Sequence, residues 1–196
     1  MNILILDCTT KNLTICLKHD DIWYSEFDNS KDVSHSVKLN NVIQKLLGSA
    51  NIAISDIDVF SCNIGPGSFT GIRVAVATVI GLSFYRENKL ISINNFEVMS
   101  YKDGKKGNNV FIEDNKGFFF SVVNDGRLIT EPCHIDKSQK NLVAHREFGC
   151  LDFQEFDNSE VLQKITEEKI ARSEFVDELI PMYIRKSQAE DNHNGN

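Results

Sequence analysis

Residues 68–86 restrict the fold of this chain more than any other stretch. Ser68 suits a helix N-cap, and no acidic residue follows until Glu87. Phe69, Ile72, Val74, Ala75, Val76, Ala77, Val79, Ile80, Leu82 and Phe84 project all round a 3.6-residue period, so the helix has no polar face. Its length approaches that of a membrane span. Arg73, the scattered Gly, Ser and Thr, and the strand-like flanks point instead to a helix buried in protein. A domain of this size rarely encloses a helix on every side. One face is therefore expected on a sheet and another against a partner subunit; a helix sandwiched within the monomer is the alternative. Gly71, Ala75, Thr78 and Leu82 follow helical spacing and would let a second helix approach closely.

Ahead of this helix, Gly65-Pro66-Gly67 follows an apolar, strand-like run at 57–64. A Gly-Pro-Gly turn feeding a helix presents backbone N–H groups and the positive end of the helix dipole, an arrangement friendly to anions. Arg73 in the first turn opposes that dipole. It should be anchored by a carboxylate or a carbonyl, which makes it a structural or interface anchor.

Composition sets outer limits. The 196 residues are 41% hydrophobic and 25% charged, as in an ordinary globular protein. Lys and Arg number 21 against 28 Asp and Glu, a net charge of −7, and the only basic cluster is the short turn holding Lys102, Lys105 and Lys106. A tRNA-binding module would need a basic face that this balance does not offer. The cysteines (Cys8, Cys16, Cys62, Cys133, Cys150) are widely spaced, with no CxxC pair, so neither a disulfide framework nor a zinc site is expected. The histidines (His19, His35, His134, His145, His193) form no pair at ligand spacing. The N-terminus has no signal-peptide pattern. These features together imply a reduced, soluble, cytoplasmic protein without membrane contact.

Along the chain, strands are expected at 3–8, 13–18 and 22–27, the last two flanking the His19-Asp20-Asp21 turn. A helix at 34–47 ending at Gly48, a strand at 57–64, the helix at 68–86, a strand at 90–93 and a short helix at 94–101 follow. The order βββαβαβ with crossover helices specifies a mixed α/β sheet. It is the order of one lobe of the actin-like ATPase (ASKHA, RNase H-like) fold. Beyond Gly104 come short strands at 110–112, 118–123 and 127–129, with Asp125-Gly126 as a hairpin turn. An irregular stretch to 157 precedes a charged amphipathic helix at 159–169 and a segment at 175–185 interrupted by Pro181. The expected division is an N-terminal actin-like lobe at 1–103, a reduced second lobe with a C-terminal helical segment at 104–187, and a frayed polar tail at 188–196.

Four stretches carry a resemblance to the TsaB (YeaZ) family of bacterial threonylcarbamoyladenosine biosynthesis proteins. They are the opening Ile3-Leu4-Ile5-Leu6-Asp7-Cys8-Thr9-Thr10, the helix start Ser34-His35-Ser36 with Leu39, the run from Cys62 through Gly65-Pro66-Gly67-Ser68-Phe69-Thr70-Gly71-Ile72 to Arg73, and Pro181-Met182-Tyr183-Ile184-Arg185. The third is the most specific. The middle third matches poorly, and the chain looks shorter than the family norm.

The resemblance implies a non-catalytic subunit that binds a TsaD-like ligase, the enzyme that installs threonylcarbamoyl on adenosine beside the tRNA anticodon. TsaD-like chains carry a His-x-x-x-His metal motif after the fifth strand; here that region reads Ile93-Asn94-Asn95-Phe96-Glu97-Val98-Met99-Ser100. No catalytic residue and no metal ligand are therefore expected. The expected interface comprises Ser34, His35, Leu39, Gly71, Ala75, Thr78 and Leu82, with Gly65, Pro66, Gly67, Ser68 and Arg73 shaping the loop. His35 would otherwise help to cap its helix. Asp7, Thr9 and Thr10 are a vestigial phosphate-facing set or a strand end capping its own turn. No intrinsic cofactor is expected, and ATP or ADP only at an interface shared with the complex. Expected partners are the TsaD-like ligase, a TsaE-like ATPase, a second copy when alone, and tRNA only through the complex. The competing reading is a small ATP-dependent phosphotransferase that uses Asp7 with the 65–67 loop.

Overall fold

The computed structural model describes residues 1–30, 34–84 and 87–184. The first sheet is built from β1 (Ile3–Asp7), β2 (Leu13–His19), β3 (Ile22–Asp28), β4 (Val59–Asn63) and β5 (Lys89–Ile93), in the order β3-β2-β1-β4-β5. β1, β2 and β3 pair antiparallel, whereas β1, β4 and β5 pair parallel. Asp20 and Asp21 both take positive φ in the two-residue turn between β2 and β3, the conformation that suits the twist of an antiparallel pair.

Both faces of β1 are buried, which explains its unbroken apolar sequence. Leu4 and Leu6 face α1 (His35–Ala50) and α2 (Phe69–Ser83), together with Leu39, Ile43, Ile72, Ala75 and Val79. Ile3 and Ile5 face the other way, against Val98 of α3 (Asn95–Lys102) and Leu162 and Ile165 of α5 (Ser159–Ala171). α1 runs past Gly48 and is ended by Asn51, whose φ of 55° lets its N–H reach back to Gly48 O and Leu47 O. A residue in the left-handed region ends the helix, and asparagine tolerates it where the expected glycine was not used.

The second sheet, order β10-β6-β7-β8 with β9 also on β7, comprises β6 (Asn108–Glu113), β7 (Gly117–Asn124), β8 (Arg127–Leu128), β9 (Cys133–Asp136) and β10 (Gly149–Asp152). The Asp125-Gly126 hairpin forms with positive φ at both residues. α3 lies between the sheets: Phe96 and Met99 pack with Val110, Ile112 and Val123. The outer face, around Phe111, Phe120, Val122 and Ile135, is covered by Val143, Ala144 and Phe148, adjoining the short α4 (Lys140–Val143).

The final part of the chain departs from the expected division. α5 does not complete the second lobe; it lies against the first sheet beside α3. The residues after it run extended along β5, where Val176 N donates to Leu90 O at 3.0 Å, and end with Met182 N donating to Ile64 O at 2.9 Å. The tail expected at 188–196 lies outside the described residues, as do Arg185, Tyr85 and Arg86; the helix expected to reach Arg86 ends at Ser83, where Phe84 turns extended with φ −61° and ψ 136°.

Candidate functional site

Two features stand at the C-terminal end of the first sheet: a polar network closed on itself, and the outward face of α2. The network begins with Asp7, 2% exposed at the end of β1. Its Oδ1 accepts from Thr9 N at 2.7 Å; its Oδ2 accepts from Asn63 Nδ2 at 2.8 Å and Asn158 Nδ2 at 2.7 Å. Asn63 Nδ2 also donates to Asn95 Oδ1, and Asn95 Nδ2 donates to Thr9 Oγ1 and Pro66 O. Thr14 Oγ1 donates to Asn158 Oδ1. Both carboxylate oxygens are thus occupied by neutral N–H donors from β1's own turn, β4 and the N-cap of α5. A carboxylate held this way stays in a low-dielectric interior without a counter-cation.

The loop from 65 to 68 closes over the same network. Ser68 N donates to Thr9 O at 2.6 Å, and a Cβ on Gly67 would stand 2.2 Å from that carbonyl. The turn after β1 and the loop ahead of α2 are therefore bonded directly to each other. Ser68 caps α2 through Gly71 N, as its position in the sequence implies. Thr10 bonds Asn12 N and lines the open cleft, but Thr9 and Asp7 are buried. Asn63, Asn95 and Asn158 are the members that sequence reasoning passed over. Their only signal is an amide side chain within or beside an apolar run.

The cleft has a volume of about 1560 Å³ and lies between the α1 and α2 N-termini on one side and the β6–β7 turn on the other. His35 reaches into its wall, with Nε2 2.9 Å from Lys11 O. Ser34 makes no side-chain cap bond; its Oγ pairs with Ser36 Oγ. Arg73 is held differently from expectation. Its guanidinium lies 3.8 Å over the Phe69 ring and 5.7 Å from the Tyr183 ring, and its Nε donates to Tyr183 Oη at 2.9 Å. An aromatic bracket and a phenol replace the anticipated carboxylate or carbonyl, because the strap after α5 brings Tyr183 onto the first turn of α2.

Among the described residues, α2 turns one face inward and exposes the opposite one. Gly71, Ile72, Ala75, Val76 and Val79 are buried, whereas Thr70, Arg73, Ala77, Ile80, Gly81 and Phe84 are exposed, with Val74 and Thr78 between. Among the residues anticipated at an interface, Leu39, Gly71 and Ala75 therefore lie in the core, and Leu82 packs against it. Gly71 faces inward because its Cα passes so close to Cys8 O that a Cβ would stand 1.9 Å from it. Thr78, Ser34 and His35 remain at or near the surface.

Other chemistry is sparse. Burial, reinforced by the Asp7 charge, pushes the Cys8 thiol far up, and burial does the same for Cys16 and Cys62, so none is a ready nucleophile. Among the described residues, no group of three His, Cys, Asp or Glu side chains could hold a metal ion. Nor is any described helix long and apolar enough to cross a membrane.

The topology and this closed loop define a chain of the actin-like ATPase fold, with one complete lobe and a reduced second. The chain is similar along nearly its whole length to solved structures from Pseudomonas aeruginosa. One is an uncharacterized protein with similarity to peptidase YEAZ (TM-score 0.77, 19% identity, 94% of this chain and 99% of that one). Another is YeaZ itself (TM-score 0.70, 20% identity, 90% and 96%). In sequence it is similar to the threonylcarbamoyladenosine biosynthesis protein TsaB of Buchnera aphidicola from Schizaphis graminum, at 27% identity over 53% of this chain and 49% of that one. TsaB of Escherichia coli K12 is 26% identical over 51% and 43%. A family described as TsaD, tRNA N6-adenosine threonylcarbamoyltransferase, matches residues 30–111. These likenesses support a place for the chain in the TsaB (YeaZ) family, and the sequence match spans about half the length of the curated relatives or less.

Proposed function

We propose that this chain is a non-catalytic scaffold in the complex that installs threonylcarbamoyl on adenosine next to the tRNA anticodon. It would act in the cytoplasm by binding and activating a TsaD-like ligase. The observation that carries this reading is the exposed face of α2, where Ile80 is 45% exposed beside Ala77 and Gly81. Small residues flanked by exposed apolar ones suit close approach of a second helix. A TsaE-like ATPase would join the assembly, and tRNA would be met only through the ligase. The chain would carry no cofactor of its own; ATP or ADP would be held at a shared interface. The phosphotransferase reading is opposed by the full hydrogen bonding of Asp7 and the Ser68–Thr9 closure.

Light scattering of the purified chain, alone and with the TsaD-like ligase of the same cell, tests the proposal. The expected result is self-association when alone and a one-to-one heterodimer on mixing. Ala77→Glu should abolish the heterodimer with an unchanged circular dichroism spectrum, since a charge buried at a helix contact is strongly unfavourable. A monomer indifferent to that ligase would overturn the reading.

A further inference from the structure

We infer that Glu168 and Glu174 form a charged clasp that sets the tilt of the second sheet on the first, and with it the width of the cleft. Glu168 lies on α5, which packs with α3 on the first sheet, and Glu174 stands in the turn that follows. Glu168 Oε2 accepts from Lys105 Nζ at 2.6 Å, Tyr101 Oη at 3.0 Å and a terminal nitrogen of Arg172 at 2.9 Å. Glu174 Oε1 accepts from a terminal nitrogen of Arg127 at 2.8 Å, and Arg172 lies 3.9 Å from the same oxygen, linking the two acids. Lys105 precedes β6, and Arg127 opens β8 just after the Asp125-Gly126 hairpin. Asp125 N donates to Lys105 O at 2.9 Å and ties these two segments together. One end of the second sheet is thus held by cations that reach across to α5.

Lys105 has a φ of 63°, directly after Gly104 at 70°. Glycine takes that conformation freely, whereas a lysine there is disfavoured. What the lysine supplies is its ammonium, bonded to Glu168 and 4.8 Å over the Tyr101 ring. Burial raises the Glu168 carboxyl, yet the bonds from Lys105 and Tyr101 hold it below its ordinary range. Burial together with Glu168 pushes the Tyr101 hydroxyl up to about 12. The clasped end of the sheet is not the end that lines the cleft. Asn108 of β6 pairs with Val123 beside the clasp, and Glu113 pairs with Phe118 beside the 114–116 turn on the cleft wall. The six residues of β6, at about 3.3 Å each, put roughly 20 Å between the two ends. Between them the sheet rests on Phe96 and Met99 of α3. Such apolar packing is non-directional and admits sliding of about 1–2 Å, whereas charge-assisted bonds fix an angle. A change of tilt at the clasp therefore moves the mouth of the cleft.

Pulsed electron–electron double resonance measures the cleft directly. Spin labels go on Ser36→Cys and Asn115→Cys, both exposed and on opposite walls of the cleft. Cys133→Ser and Cys150→Ser remove the exposed thiols and leave only the buried ones. Labelled chain is diluted into unlabelled chain, so that only distances within one molecule are read. Glu168→Gln and Lys105→Gly are each expected to shift or broaden the distance distribution by about 2 Å or more. Lys105→Gly suits the backbone at this φ, so its melting temperature should hold or rise while the cleft loosens. Lys137→Gln serves as the control. It cuts an exposed ion pair with Glu113 inside the second lobe and should leave the distribution unchanged. A distribution unmoved in both Glu168→Gln and Lys105→Gly would show that apolar packing alone sets the tilt, and would overturn the clasp. An equal broadening in Lys137→Gln would overturn it too, since the loss of any ion pair would then suffice.

Discussion

At the scale of single residues, Asp7 shows how a side chain suited to chemistry is turned into a structural one. A carboxylate at the end of the first strand is useful when a cation or a phosphate-bound metal can reach it. Here Thr9 N, Asn63 and Asn158 have taken its lone pairs, and Asn158 spends its own oxygen on Thr14. Removing one neutral donor leaves a buried acceptor short, which costs about 1–3 kcal/mol, and more when the acceptor is charged. Asn158→Ala should therefore lower the unfolding free energy by at least about 1 kcal/mol in urea titrations. Asn158→Asp should cost still more, because it sets a second carboxylate where an N–H now meets Asp7. If Asn158→Asp is neutral, the Asp7 oxygen is not buried against Asn158 and the closed network is wrong.

At the scale of elements, the strands of the first sheet were legible because their neighbours decide their pattern. β1 is apolar on both faces, and β2 alternates Leu13, Ile15 and Leu17 toward the helices. The charge-free helix was legible as a helix, but not in its orientation. A cylinder apolar all round gives no periodic signal of which side meets the sheet, and Gly71, Ala75, Ala77 and Gly81 are equally small. The deciding fact is the passage of Gly71 against Cys8 O, a contact between segments 63 residues apart that no local pattern records. The network of Asn63, Asn95 and Asn158 was hidden for the same reason, its members being drawn from three separate elements. This orientation makes opposite predictions for two glycines of one helix. Gly71→Ala would force α2 off β1 and should cost about 3 kcal/mol. Gly81→Ala meets nothing within 4 Å and should stabilise by up to about 1 kcal/mol through helix propensity. Thermal melts of the two variants separate them, and a similar shift in both would mean that α2 is rotated from the orientation described.

At the scale of the whole molecule, the strap after α5 joins two cores that the sequence order keeps apart. Leu179 is 4% exposed and packs in the cluster between the first sheet and its helices, while Met182 and Ile184 pack against the cluster shared by α3 and the second sheet. α3 itself faces both sheets, with Val98 and Tyr101 toward one and Phe96 and Met99 toward the other. A chain so tied should unfold in one step, since neither core can open without exposing apolar surface of the other. Trp23, the only tryptophan, lies on β3, so its fluorescence follows the first sheet alone, whereas far-ultraviolet circular dichroism follows both. The two signals should give coincident urea transitions. Leu179→Ala should lower their common midpoint by the cost of a buried leucine, about 2–5 kcal/mol, because the strap loses its hold on the first core. The two curves should also begin to separate in this variant, with the tryptophan signal leading. Separate transitions already present in the unaltered chain would show that the sheets fold independently and that the strap joins them only in space.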